Sequence, residues 1–152
     1  MELGVFDEVG ELVRSMAPPE LGEVKWRAHR RGVKVWFDTE KAGREHFEAQ
    51  QVARRHLDGT DGMVIEVGFH AEHGDEAANQ KVVDRLLAGR DGWHVELGDA
   101  AVAGPFLGND GWRRLSETWI EPDLDDPDLS FELGSRLVDY VVALEVLRRD
   151  QR

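Results

Sequence analysis

Two carboxylates and an imidazole lie close together near the middle of the chain, at Glu66, His70 and Glu72. Residues 63–72 alternate apolar and polar side chains, which predicts a strand whose successive residues face opposite sides. These three side chains should therefore project from one side of the strand, and His73 lies just beyond its end. Such groups could bind a divalent ion or share proton-transfer work. One predicted function is thus a metal-assisted hydrolase with a divalent metal as its cofactor.

The same four residues also fit a simpler interpretation, in which a polar outer strand face leads into a helix-starting turn. They do not form the helical His-Glu-x-x-His motif of zinc hydrolases. The chain has no cysteine, so the His-x-Glu fragment at 70–72 does not indicate a zinc deaminase. Motifs this short often match by chance, and the simpler interpretation, with no cofactor, is favoured.

A second candidate site lies on a hairpin predicted over residues 23–38. If Arg30 and Arg31 are the central turn residues, the cross-strand pairs are 24/37, 26/35 and 28/33, and the apolar side chains share one face. A three-residue loop with Gly32 as a bulge is the competing register, but it would mix lysines into the apolar face. In the favoured register the other face carries a cationic and aromatic set: Lys25, Arg27, Lys34 and Trp36.

The charge of the chain is segregated in a way that singles out this hairpin. Residues 23–56 carry nine Lys/Arg and five Asp/Glu, whereas the whole chain has a net charge of −12. A local basic patch can attract an anion even on an acidic protein. The hairpin face is therefore predicted to bind a protein or a small anionic ligand. Cations beside a tryptophan could also bind nucleic acid, but the acidic remainder of the chain argues against that partner.

Several elements are predicted to position these residues. Apolar spacing predicts helices over about residues 3–16, 39–57, 75–88 and 129–149, and a further helix from Asn109 through Trp119. Alternation predicts the hairpin, the strand at 63–72 and another strand through Trp93, Val95 and Leu97. Residues 100–108 are consistent with a short strand or a loop.

This order of elements predicts the α+β class. We expect residues 1–152 to form a single domain, in which a mixed or antiparallel sheet of about four to five strands is covered by helices. The sheet should begin with the N-terminal hairpin, and a long helix should end the chain. An exposed strand edge could also pair with a second copy to form a homodimer.

The composition favours a cytoplasmic location and a binding role. Cysteine is absent, acidic residues interrupt the segment where a signal peptide would lie, and no apolar run reaches the roughly 20 residues of a membrane span. No complete catalytic motif is present. The leading prediction is a non-enzymatic module that binds its partner through the hairpin face, and the hydrolase is the alternative.

Overall fold

Six strands form one antiparallel sheet in the order β1-β2-β3-β4-β6-β5, in a computed structural model that describes residues 4–39, 41 and 43–149. The strands are β1 (Val24–His29), β2 (Gly32–Phe37), β3 (Glu45–Ala53), β4 (Met63–Ala71), β5 (Val102–Phe106) and β6 (Asn109–Ile120). The helices are α1 (Val5–Met16), α2 (Arg55–Asp58), α3 (Glu76–Ala88), α4 (Arg90–Leu97) and α5 (Leu129–Arg149). The α+β class is confirmed, and the sheet has one or two more strands than predicted.

The N-terminal hairpin has the predicted register. Val24 pairs with Phe37, Trp26 with Val35 and Ala28 with Val33, so Arg30 and Arg31 form the turn. Lys25 and Trp36 form another pair, as do Arg27 and Lys34. All four of these side chains therefore lie on the face opposite the apolar one.

The helix predicted over 39–57 is wrong, because residues 45–53 of that segment form strand β3, which is followed by the single turn of α2. Phe47 and Ala49 are buried in the hydrophobic core, whereas His46, Glu48 and Gln50 alternate with them. Glu and Ala are depleted in strands and Gln favours helices, and this composition hid the period of two. Pairing on both sides, with β2 and β4, outweighs that weak local propensity.

Two further predictions are wrong. The segment through Trp93, Val95 and Leu97, which was predicted to be a strand, forms helix α4. Trp93 and Leu97 are buried at helical i,i+4 spacing on α4, while Val95 between them is 89% exposed. The segment expected to form a helix from Asn109 is instead strand β6, which pairs with both β4 and β5. Residues 100–108, which fitted strand or loop, supply β5.

The hydrophobic core lies between the sheet and the helices α1, α3 and α5, which pack against it from one side. The predicted C-terminal helix α5 is confirmed and buries Leu137, Val141 and Leu144. Phe131 and Val146 of the same helix are both more than half exposed. None of the described helices combines the length and apolar character needed to cross a membrane.

Candidate metal centre

The sheet face opposite the core carries a line of polar side chains. Neighbouring residues on a strand alternate between the two faces, so the residues that flank the core positions Phe47, Phe69 and Leu115 point away from the core. The register places His46 beside His70 and His70 beside Arg114. We call this set the polar stripe; it consists of His46, Glu48, Gln50, Glu66, His70, Arg114 and Ser116.

Four side chains bring their donor atoms together at one end of the polar stripe: His46, Glu48, His70 and Glu72, the donor cluster. One nitrogen or oxygen from each lies within 4.8 Å of the other three. His46 Nε2 is 3.1 Å from both Glu48 Oε1 and Glu72 Oε2. His70 Nδ1 is 3.0 Å from Glu48 Oε1 and 3.5 Å from Glu72 Oε2. No side chain of the four is more than 9% exposed.

These separations suit a metal ion with four protein ligands. Zinc-to-nitrogen and zinc-to-oxygen bonds of about 2.0–2.1 Å place neighbouring donors of a tetrahedron about 3.3–3.4 Å apart. The four nitrogen-to-oxygen distances in the donor cluster, 3.0 to 3.5 Å, bracket that value. Two imidazoles and two carboxylates without sulfur fit Zn²⁺, Fe²⁺, Mn²⁺ or Co²⁺ better than Mg²⁺ or Ca²⁺, which prefer oxygen ligands.

Each histidine of the donor cluster has its other ring nitrogen held by a second group. His46 Nδ1 lies 3.3 Å from the carbonyl oxygen of Gly43, and His70 Nε2 lies 2.8 Å from Glu66 Oε2. These contacts orient the rings and leave His46 Nε2 and His70 Nδ1 to face the cluster. Metal-binding histidines commonly have such a carboxylate or carbonyl partner, which sets their tautomer and raises their basicity.

Glu66 is itself fixed by two donors. The Ser116 hydroxyl donates a hydrogen bond of 2.6 Å to Oε2, and the Gln50 amide donates one of 2.9 Å to Oε1. The Arg114 guanidinium in turn donates to the Ser116 hydroxyl at 2.8 Å. This chain of hydrogen bonds across β3, β4 and β6 satisfies a carboxylate that is fully buried.

Gly68 lies between Glu66 and His70 on β4, where the backbone of β6 comes close. Four residues along a strand span about 13 Å, so the two side chains must lean toward each other over the residue between them. Gly68 has no side chain to obstruct that contact, and its φ of +153° is one that other residues rarely adopt. A Cβ at this position would also lie 2.6 Å from the backbone oxygen of Leu115.

The carboxylates raise the pKa of both histidines when no metal is bound. Burial alone would lower the pKa of His70, but the charge of Glu66 and hydrogen bonds to Glu48 and Glu66 raise it well above its usual value. The pKa of His46 is raised in the same way by Glu48 and Glu72. Burial opposes ionisation of Glu48, yet its hydrogen bonds to both histidines lower its pKa to about 2.

Aromatic side chains shield part of the donor cluster from solvent. The Phe106 ring packs edge-on against the His70 ring at a centroid distance of 4.6 Å. Trp112 packs against Phe106 at 5.3 Å. This cover explains how His70 can be fully buried although it lies on the face that the helices leave open.

A cleft opens beside the donor cluster on the hairpin side. It has a volume of about 460 Å³ and is lined by Arg27, His29, Lys34, Trp36, Gly43 and His46. His46 thus faces both the cleft and the cluster. Lys34 also joins the two, because its Nζ lies 3.7 Å from Glu72 Oε1.

The structure brings together three of the four residues in the predicted Glu/His site. His70 and Glu72 belong to the donor cluster. Glu66 contacts the His70 ring nitrogen that faces away from the cluster. His73 turns away, since its ring bonds Glu45 Oε2 at 2.6 Å and its backbone N–H donates to Asn79.

Three of the four predicted hairpin residues line the cleft: Arg27, Lys34 and Trp36. Lys25 does not, and pairs with Asp38 at 3.4 Å. The two candidate sites of the sequence analysis, which seemed separate, are therefore neighbours on one sheet face.

Two members of the donor cluster, His46 and Glu48 on β3, were not predicted from the sequence. They were assigned to a helix, where positions two apart do not share a face. The available signal was the alternation of polar residues at 46, 48 and 50 with Phe47 and Ala49.

Compared with known proteins, the chain matches no protein-family model, and no curated protein or solved structure shows a significant match.

Proposed function

We propose that this protein binds one divalent transition-metal ion through His46, Glu48, His70 and Glu72. One observation carries the proposal: two nitrogen and two oxygen donors converge within 4.8 Å of one another, while the second nitrogen of each histidine is already held. The Gly43 carbonyl and the Glu66 carboxylate hold the two rings so that His46 Nε2 and His70 Nδ1 face one point. Zinc is the ion that we expect to bind most tightly among the abundant candidates.

The electrostatics of the donor cluster support this proposal. Ionised side chains that leave water cost several kcal/mol each unless they are paired or coordinate a metal. Here two histidines and the carboxylates of Glu48, Glu66 and Glu72 are nearly or fully withdrawn from solvent. A divalent ion would replace the two ring protons with the same total charge and would bind all four inward-facing donors.

Metal-assisted hydrolysis, the alternative of the sequence analysis, is a second candidate. The cleft favours it, because His46 would connect a bound ion to a space large enough for a substrate. Four protein ligands fill a tetrahedral shell, however, whereas catalytic zinc sites keep one position open for water or substrate. Metal binding itself is therefore the function that the geometry supports best.

Metal titration of the chelator-treated protein tests the proposal. We expect Zn²⁺ to bind at one ion per chain by calorimetry and to raise the melting temperature, while Mg²⁺ and Ca²⁺ at equal concentration leave it nearly unchanged. Free ion at 100 times the dissociation constant should add about 2.7 kcal/mol to the free energy of unfolding.

Matched histidine variants locate the site. His70→Gln should abolish tight binding, because it removes a ligand and the partner of Glu66. His94→Gln is the control, since His94 also bonds a carboxylate, Asp99 at 2.6 Å, but on a different part of the surface. Equal zinc binding by His70→Gln and the unmodified protein would rule out the proposed site.

A further inference from the structure

The cleft beside the donor cluster holds cationic and aromatic side chains that the metal proposal does not use. Arg27, Lys34 and Trp36 enter it from the two strands of the hairpin. Arg27 is exposed and makes no ion pair among the described residues, so its guanidinium is available to a ligand. The volume of about 460 Å³ is within the usual range for small-molecule sites.

The charge balance around the cleft favours an anion. Three carboxylates of the metal region, those of Glu48, Glu66 and Glu72, are matched by three cations: Arg27, Lys34 and Arg114. The charge of a bound divalent ion is then left over. This step rests on the proposed function, which places that ion in the donor cluster.

Two features narrow the class of anion. An arginine and a lysine in one cleft suit a phosphate group, because guanidinium binds two of its oxygens in a fixed geometry and ammonium adds a point charge. The Trp36 ring offers a flat surface on which an aromatic group can stack. A small ligand fits better than a polymer, since the chain outside residues 23–56 has a net negative charge and repels a polyanion.

We propose that the cleft binds a small phosphate monoester that carries an aromatic ring. Its phosphate lies between Arg27, Lys34 and the His46 edge of the metal centre, and its ring stacks on Trp36. The residue pairing of the hairpin places these groups suitably, because Arg27 is directly opposite Lys34 and Trp36 is two residues further along β2. Metal and hairpin thus form one ligand site.

Calorimetry with phenyl phosphate on zinc-loaded protein tests this inference, with inorganic phosphate as the probe that lacks a ring. Arg27→Gln should lower the affinity for both probes by about tenfold or more, because it removes a charge-assisted contact. Trp36→Leu should lower the affinity for phenyl phosphate by about fivefold or more and leave the affinity for inorganic phosphate unchanged. Lys25→Gln is the matched control, since it removes a cation from the same hairpin face but outside the cleft lining.

Metal analysis of the same samples separates the two proposals. If zinc is present at one ion per chain and phenyl phosphate does not bind, the cleft inference is wrong and the metal proposal stands. If Lys25→Gln weakens binding as much as Arg27→Gln does, general surface charge is responsible and the cleft inference is again wrong. If no zinc is retained, the proposed function has failed, and the inference built on it fails too.

Discussion

The metal-free protein should lose stability as the pH rises above about 6.5. The pKa values of His46 and His70 are raised, because their carboxylate partners outweigh the opposing effect of burial. The native state therefore holds two protons that the unfolded chain releases near the ordinary histidine pKa of about 6.5. Stability falls with pH wherever the native state binds more protons than the unfolded state.

The number of protons sets the size of this effect. Each one contributes at most about 1.4 kcal/mol per pH unit, so both histidines together give a limiting slope of roughly 2.7 kcal/mol per unit. The loss begins near pH 6.5 and ends for each histidine once the pH has passed its native pKa. Glu48 acts in the opposite sense: its pKa is lowered from 4.5 to about 2, so its stabilisation is complete above pH 4.5 and is lost as the pH falls through 2. From these three groups together, we expect the free energy of unfolding of the metal-free protein to be greatest between pH 4.5 and 6.5.

Urea unfolding of chelator-treated protein at several pH values from about 5 to 9 measures this slope. His70→Gln should reduce it by about half, because one of the two protons is then missing. Zinc-loaded protein should show the opposite trend over pH 6 to 8, since metal ligands must be deprotonated and zinc affinity rises with pH.

Two results would refute this reasoning. A free energy of unfolding that stays flat or rises between pH 6.5 and 8.5 without metal would mean that the buried histidines are neutral. A His94→Gln control that flattens the slope as much as His70→Gln would attribute the effect to overall charge rather than to the donor cluster.

Three further predictions test the surroundings of the site and the fold. Glu66→Gln should lower zinc affinity about 10- to 100-fold in calorimetry although all four ligands remain, because it removes the charge behind His70. Gly68→Ala should cost at least about 2 kcal/mol in urea unfolding, since its Cβ would lie 2.6 Å from a β6 backbone oxygen, whereas Gly104→Ala on β5 meets open space and should cost far less. Leu144→Ala should destabilise the protein by about 2–5 kcal/mol and Val146→Ala by under about 0.5 kcal/mol, and equal costs would mean that α5 is rotated.

Elements with a strong hydrophobic pattern could be predicted from the sequence. The hairpin register followed from one rule, that Val24, Trp26 and Ala28 must share a face with Val33, Val35 and Phe37. Helix α3 begins close to its predicted start, and the side chain of Asp75 at its N-cap accepts a hydrogen bond from the backbone of Ala77. In each case local chemistry and burial agree.

The strands β3 and β6 could not be predicted in the same way, because their outward positions hold the polar stripe. His46, Glu48 and Gln50 give β3 a composition typical of helices. Arg114 and Ser116 interrupt the apolar pattern of β6. Their strand conformation is imposed by pairing with β4, whose apolar sequence makes it the clearest strand of the chain. Long-range pairing of this kind is invisible to a local pattern.

The two strands that the sequence did not reveal, β3 and β6, therefore both carry residues of the polar stripe. A buried strand normally carries apolar residues on both faces, and replacing one face with histidine and glutamate lowers its β propensity and adds a desolvation cost. A protein retains such residues when something else binds them in the folded state, and local rules are broken mainly at functional sites. In the donor cluster, Glu48 contacts both histidines, so its burial is favourable only while their rings point inward. A metal ion would bind the same inward-facing ring nitrogens, and β3, the strand hardest to recognise in the sequence, would supply two of its four ligands, His46 and Glu48.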